Sequence, residues 1–281
     1  MDENIKKKLE EKASWVRTKV LEMAVKAGGG HISSAFSQTE LLVSLFHGKI
    51  LNFNPEDENW SERDRFILSK GQGGIGFYPI LADVGYFPVA ELDNFLGEGS
   101  LLGVHSDAHI PGIEVTTGSL GHGLPMATGK AYALKTQKNK SLLFFLLGDA
   151  ELYEGSNWEA CFYAAHAELD NLVCIVDRNG QGVLGKTDDI ETTRDGPALE
   201  PLHDKFSSFG FDVRRIDGHS FDEIFKAFSD IRQRESKKPL MVIADTLKGK
   251  GVKLMEDQRM WHYRVPTGFD LEKCQQDLGV S

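Results

Sequence analysis

Asp149 stands one glycine beyond the apolar run Leu142 to Leu147, and Asn179 follows a second such run, Leu172 to Val176. A carboxylate and an amide oxygen are hard donors of the kind magnesium and calcium take, and magnesium draws further ligands from water and from a substrate's phosphates. If the two runs are neighbouring strands of a parallel sheet, about 4.8 Å apart, both side chains can converge on one point. Gly148 and Gly180 would permit close approach of another group. The arrangement reads as a site for a divalent cation carrying a diphosphate. Asp, Asn and Gly are also ordinary turn residues, so on these two pieces alone both segments also read as plain strand-end turns.

Histidines are the other candidates, because an imidazole with a pKa near 6.5 can give or take a proton and can hydrogen-bond to hydroxyl groups. His31 lies inside GGGHISS and His105 inside VHSDAH. Taken singly, a histidine is more often a packed or surface residue, and His47, His166, His203 and His219 are read as structural. His105 and His109 would form a metal pair on a helix, but Pro111 and Gly112 make that segment a loop, and zinc is discounted.

The elements that must place these groups follow from apolar spacing. Residues 3–27 put Leu9, Val16, Val20 and Met23 on one side of a helix that should stop at Gly28-Gly29-Gly30. GGGHISS is expected as a loop, followed by a helix from about Gln38 to Lys49. Phe66 to Leu68 is a short buried strand leading into SKGQGGIG. The runs at 142–147 and 172–176, with a helix over about 156–169 between them, form a βαβ unit. Runs at 213–216 and 240–244, with a helix near 221–234, continue the alternation. The expected fold is α/β, a doubly wound parallel sheet with helices on both faces and ligands at the carboxyl ends of the strands. No linker, repeat or low-complexity stretch interrupts the chain, so residues 1–281 are read as one domain.

Composition narrows the class further. With 41% hydrophobic and 26% charged residues, the chain is neither disordered nor membrane-spanning. Lys and Arg total 32 against 42 Asp and Glu, a net charge of -10 that works against nucleic acid and anionic membranes as partners. Cys161, Cys174 and Cys274 are odd in number and lack CxxC spacing, so they are expected as reduced core thiols. The amino terminus MDENIKKKLEEK is charged with no apolar signal core, and a cytoplasmic address is expected.

GDAELYEGSNWEA followed by LDNLVCIVDRNG resembles the thiamine diphosphate fingerprint, a GDG followed about thirty residues later by an Asn. GGGHISS, RDRFILSKGQ, TTGSLGHGLPMATG, EPLHDKFSSFGFDVRRIDGH, TLKGKGV and WHYRVP also occur along the chain in family order, so that nearly the whole chain resembles the amino-terminal subunit of a split transketolase. The resemblance implies that Asp149, Asn179 and the backbone carbonyl of Gln181 hold magnesium, with Gly148, Ala150 and Glu151 near the diphosphate of the cofactor. It places Gly118, Ser119 and Leu120 at the aminopyrimidine and Gln72 at the diphosphate. His31, His105 and His262 would surround the thiazolium and the sugar hydroxyls, and Glu154 would link two cofactor sites across a dimer.

The implied reaction is transfer of a two-carbon ketol unit from a ketose to an aldehyde acceptor. Ala150 replaces the second glycine of GDG, Gln72 and His122 replace a histidine and a glutamine, and Tyr263 follows the late histidine where glycine is commoner. These exchanges bear on the identity of the donor's distal group. The pyrimidine-binding domain and its glutamate are expected on a separate carboxy-terminal subunit, in an α2β2 heterotetramer. A decarboxylating thiamine enzyme subunit, of the 2-oxo-acid dehydrogenase or deoxyxylulose phosphate synthase type, is the second reading, and a noncatalytic nucleotide-binding module the third.

Overall fold

The computed structural model describes residues 1–183, 185–187 and 199–280. Strands β1 (Arg65–Leu68), β2 (Leu143–Gly148), β3 (Leu172–Arg178), β4 (Asp212–Asp217) and β5 (Leu240–Asp245) form one parallel sheet in the order β1-β2-β3-β5-β4. The expected α/β architecture is present. Register follows the apolar runs: Leu143 pairs with Leu172 and Gly148 with Asp177, so β2 and β3 end side by side.

Continuous apolar strands arise because both faces of this sheet are covered. Phe144, Leu146, Val173, Ile175 and Val242 point to one face and pack under α1 (Glu3–Ala27), α2 (Ile32–Ser37), α3 (Thr39–Phe46) and α4 (Gly74–Asp83). Phe145, Leu147, Cys174, Val176 and Ile243 point to the other face, under α5 (Gly123–Thr136), α6 (Gly155–His166) and α7 (Leu202–Ser208). Among the described residues the remaining α-helices are α8 (Phe221–Phe228) and α9 (Phe269–Asp277). All three cysteines are buried free thiols.

Helix α1 runs as its sequence demands. Asp2 caps it by accepting from the Asn4 and Ile5 amides at 2.9 and 3.2 Å, and Gly28, at φ 68°, closes it with its N–H on the Ala24 and Val25 carbonyls. The GGGHISS segment departs from expectation. It is a loop only as far as His31, and α2 begins at Ile32 because Ile32, Ala35 and Phe36 are drawn into the core. Helix α8 ends at Phe228, earlier than 234, and α3 ends at Phe46.

Candidate active site

Four adjacent strands deliver side chains to one cavity of about 210 Å³ at the carboxyl end of the sheet. From the end of β2 come Gly148, Asp149, Ala150 and Glu151, and from the end of β3 come Asn179 and Gln181. Lys70 follows β1, and Lys248 follows β5. His31, at the start of α2, and His262 close one side, and Gln72, His105, Gly118 and Leu120 supply the rest of the wall. A larger groove of about 990 Å³ lies at the amino ends of the strands, where Arg232 and Arg234 are already paired with Asp64 and Asp212, and the acid, amide and imidazole groups above do not reach it.

Asp149 is the centre of the strand-end geometry. Its Oδ2 accepts from the Gly180 amide at 2.8 Å and from Thr187 Oγ1 at 3.0 Å, and its Oδ1 accepts from the Ala150 amide at 2.9 Å. The β2 turn thereby holds the segment that carries Asn179 and Gln181. Asn179 Oδ1 in turn accepts from the Gln181 amide at 3.1 Å. Burial, with Asp177 nearby, pushes the Asp149 carboxyl up to about 6. Ala150 sits within a single 3₁₀ turn, Asp149–Tyr153, and is not among the residues with positive φ. Its methyl lies 3.1 Å from where a Cβ on Gly182 would be, so the methyl faces the Gln181 loop.

Asp177, Lys70 and Lys248 join the site without a signal of their own in the sequence. Asp177 is fully buried, pairs with Lys70 and Thr246, and accepts from Ser37 Oγ at 2.6 Å. Burial opposes its charge, but Lys70 and these hydroxyls prevail and hold the carboxyl below its ordinary range. Lys248 Nζ lies 2.9 Å from His262 Nδ1 and 3.5 Å from the Gln181 carbonyl. Burial and neighbouring Lys70 lower its pKa to about 8. An ammonium can only donate, so His262 Nδ1 accepts and its Nε2 carries the proton.

The imidazoles cluster around His31. Its ring centroid lies 4.6 Å from that of Tyr263, 5.2 Å from His262 and 6.2 Å from His105. Burial and neighbouring positive groups lower His31 to about 3, and burial with Lys248 lowers His262 to about 4. Both are neutral at pH 7. The unfolded chain would protonate them near about 6.5 whereas the folded chain does not. Stability should therefore fall as pH drops from about 6.5 toward the folded values. Urea midpoints against pH should show this slope, and an H31N/H262N variant should flatten it.

Ser119 and Glu154 fall outside the cavity wall. Ser119 is exposed, with its Oγ 3.2 Å from His122 Nδ1, and Glu154 is exposed just before α6. Gly71 is needed where the chain enters α4: a Cβ there would meet the Thr117 carbonyl at 2.7 Å. Gly71→Ala should displace the 117–118 backbone from the wall and cost about 1–3 kcal/mol, measurable by denaturant unfolding.

Fold and cavity define an α/β protein with a candidate site where its parallel strands end. Residues 9–281 match the family model described as the transketolase, thiamine diphosphate binding domain. The chain is 40% identical over 272 residues to an apulose-4-phosphate transketolase subunit of Actinobacillus succinogenes, covering 96% of this chain and 95% of that protein. It is 37% identical over 255 residues to the 6-deoxy-6-sulfo-D-fructose transketolase subunit SqwG of a Clostridium species, covering 90% of each. Its structure matches the crystal structure of Campylobacter jejuni transketolase with a TM-score of 0.87 and 28% identity, covering all of this chain and 44% of that one. The chain belongs to the transketolase family. It spans less than half the length of the full-length transketolase it overlays.

The residues present fit a magnesium-bound thiamine diphosphate. Among the described residues, Gln181 Oε1, Glu151 Oε2 and His31 Nδ1 are buried without a hydrogen-bond partner. Asp149 and Asn179 offer hard oxygens from adjacent strand ends, and Lys248 offers a buried cation. Lys70 is neutralised by Asp177, leaving Asp149 and Glu151 against Lys248 alone. A diphosphate placed there needs a divalent cation to offset the carboxylates.

Proposed function

We propose that the chain is the thiamine diphosphate-binding subunit of a two-subunit transketolase, with residues 1–281 acting as one domain. It transfers a two-carbon ketol unit from an anionic ketose to an aldehyde acceptor, in the cytoplasm, together with a carboxy-terminal subunit that brings the pyrimidine-binding domain. An α2β2 heterotetramer is the assembly we assign. No described helix is long and apolar enough to cross a membrane. The observation that carries the reading is the meeting of Asp149, Asn179 and the Gln181 loop with Lys248 and three histidines at the carboxyl ends of adjacent strands.

Asp149, Asn179 and the Gln181 carbonyl would hold the magnesium, and Lys248 and Gln72 the diphosphate. Gly118, Ser119 and Leu120 would border the aminopyrimidine. When bound, thiamine diphosphate supplies the electron sink for cleaving the carbon–carbon bond beside a ketose carbonyl. The chain's own part is orientation and proton placement. Lys248 fixes the His262 tautomer so that Nε2–H is a donor, and neutral His31 keeps one ring nitrogen as an acceptor for a hydroxyl group. His105 completes the cluster on the exposed side. Glu154, exposed in the isolated chain, is assigned to the contact between cofactor sites.

Mixing the chain with its carboxy-terminal partner, thiamine diphosphate and magnesium should give ketol transfer from ketose phosphates, lost on chelation and restored by magnesium. Turnover of pyruvate with release of carbon dioxide, and none of any ketose, would favour the decarboxylating class instead.

A further inference from the structure

Lys248 reaches the cavity from a tight segment after β5, and its neighbours are tied down individually. Thr246 Oγ1 donates to Asp177, the Gly249 amide donates to the Ser33 carbonyl at 3.0 Å, and the Asp257 amide donates to the Lys248 carbonyl at 3.0 Å. The Leu247 amide, next to Lys248 on the amino side, donates to His219 Nε2 at 2.8 Å. Because that N–H can only donate, Nε2 is the acceptor, and the ring's proton sits on Nδ1, 2.9 Å from Glu40 Oε2.

Glu40 is itself fixed. Arg17 pairs with both of its oxygens, at 2.7 Å to Oε1 and 2.8 Å to Oε2, and also donates to the Phe36 carbonyl at 3.1 Å in α2. Burial alone would raise the Glu40 pKa, but Arg17 and His219 hold the carboxyl down at about 2. Arg17 also lies under the far end of the same segment, with its Cδ 3.2 Å from where a Cβ on Gly251 would be. An ion pair beneath the sheet's helical layer is thus joined, through one imidazole, to the backbone that presents Lys248.

We infer that His219 is a positioning residue: the Arg17–Glu40–His219 chain holds Leu247 so that Lys248 is presented to the cofactor's diphosphate. This rests on the reading that the cavity takes thiamine diphosphate. His219 touches neither the cavity wall nor the reacting groups, so its effect passes through Lys248.

Two substitutions separate its ring nitrogens. His219→Asn can leave a donor near the Nδ1 position and keep the Glu40 contact, whereas His219→Gln can leave an acceptor near the Nε2 position and keep Leu247. In the complex with the partner subunit, calorimetric titration with thiamine diphosphate and magnesium should show H219N binding about tenfold more weakly, while H219Q stays within about threefold of the parent. The loss should appear first in the cofactor's KM, with turnover at saturating cofactor falling only as far as the Lys248–His262 contact is disturbed. In a K248M background H219N should alter affinity less than about twofold. Equal binding by H219N and the parent, or a tenfold loss that persists without Lys248, would overturn the inference while leaving the function standing. If H219N does not fold, a tenfold loss in folded H219Q overturns it equally. A parent complex that takes up no cofactor would overturn the functional reading and this inference with it.

Discussion

Asp149→Ala should weaken uptake of thiamine diphosphate and magnesium by at least about a hundredfold in the assembled complex, with turnover falling in parallel. The side chain accepts three hydrogen bonds, two of which hold Gly180 and Thr187, so its loss removes the proposed cation ligand and loosens the loop bearing Asn179 and Gln181. Hydrogen bonds to a charged group contribute about 1.5–3 kcal/mol each, and a hundredfold change in affinity requires only about 3 kcal/mol. Asp149→Asn separates the two roles, because an amide can still accept from Gly180 but carries no charge. It should keep the loop and still bind the cofactor poorly. In the free chain Asp149→Asn should cost modest stability, because the NH2 end of the amide then faces the Ala150 N–H, while loss of a carboxylate buried at 1% exposure close to Asp177 offsets part of that cost. Unchanged affinity in Asp149→Ala, read by calorimetry, would remove the metal–diphosphate site from the function.

The sequence disclosed the parts of the site that hang on strands and concealed the parts that hang on pairing. Leu142 to Leu147 and Leu172 to Val176 are apolar at every position because alternate residues face opposite covered layers. Their ends, and hence Asp149 and Asn179, were legible from that pattern alone. Register then made the two ends neighbours, with Gly148 opposite Asp177. Helix α4 was hidden for the opposite reason: it is buried on nearly every side from Gly74 to Ala82 and contains Pro79, so no amphipathic period marks it. Helix α2 was hidden because six residues are too few to show a period.

Lys70, Lys248 and Asp177 escaped because a lone lysine or aspartate in a chain with 26% charged residues is by default a solvated one. Nothing local distinguishes a lysine that will meet a carboxylate two strands away. The KGQ and LKGK contexts, each with glycines that let the backbone approach closely, are the nearest thing to a signal. His219 carries no local signal for the same reason, since its two hydrogen bonds join residues far apart in sequence, Glu40 and Leu247. Glu154 and Ser119 were placed by resemblance alone, and both face outward from this chain. A role for either would require the proposed partner subunit to cover this surface.

The Lys70–Asp177 pair sets the largest expected effect on stability. Lys70 starts from the end of β1, passes Gly148 at the end of β2 and meets Asp177 at the end of β3, so one ion pair ties three strands at the edge of the cavity. Its side chains are 1% and 0% exposed. Lys70→Met should cost about 3–5 kcal/mol, because among the described residues it leaves the buried carboxylate hydrogen-bonded by Ser37, Thr246 and a long contact to Asn179, with Lys248 as a cation farther off. Lys70 also donates to the Ser34 carbonyl at 3.0 Å, so the junction beside His31 should loosen as well. Removing both charges tests whether the penalty is the stranded carboxylate. K70M/D177L should be less destabilised than the sum of the single variants, by roughly 1–3 kcal/mol of coupling. Urea unfolding of the four proteins gives the cycle. A Lys70→Met variant within about 1 kcal/mol of the parent, well short of the cost of a stranded buried charge, would mean that Asp177 is held by its hydroxyl partners alone, and that the charge bridging β1 and β3 is dispensable to the fold.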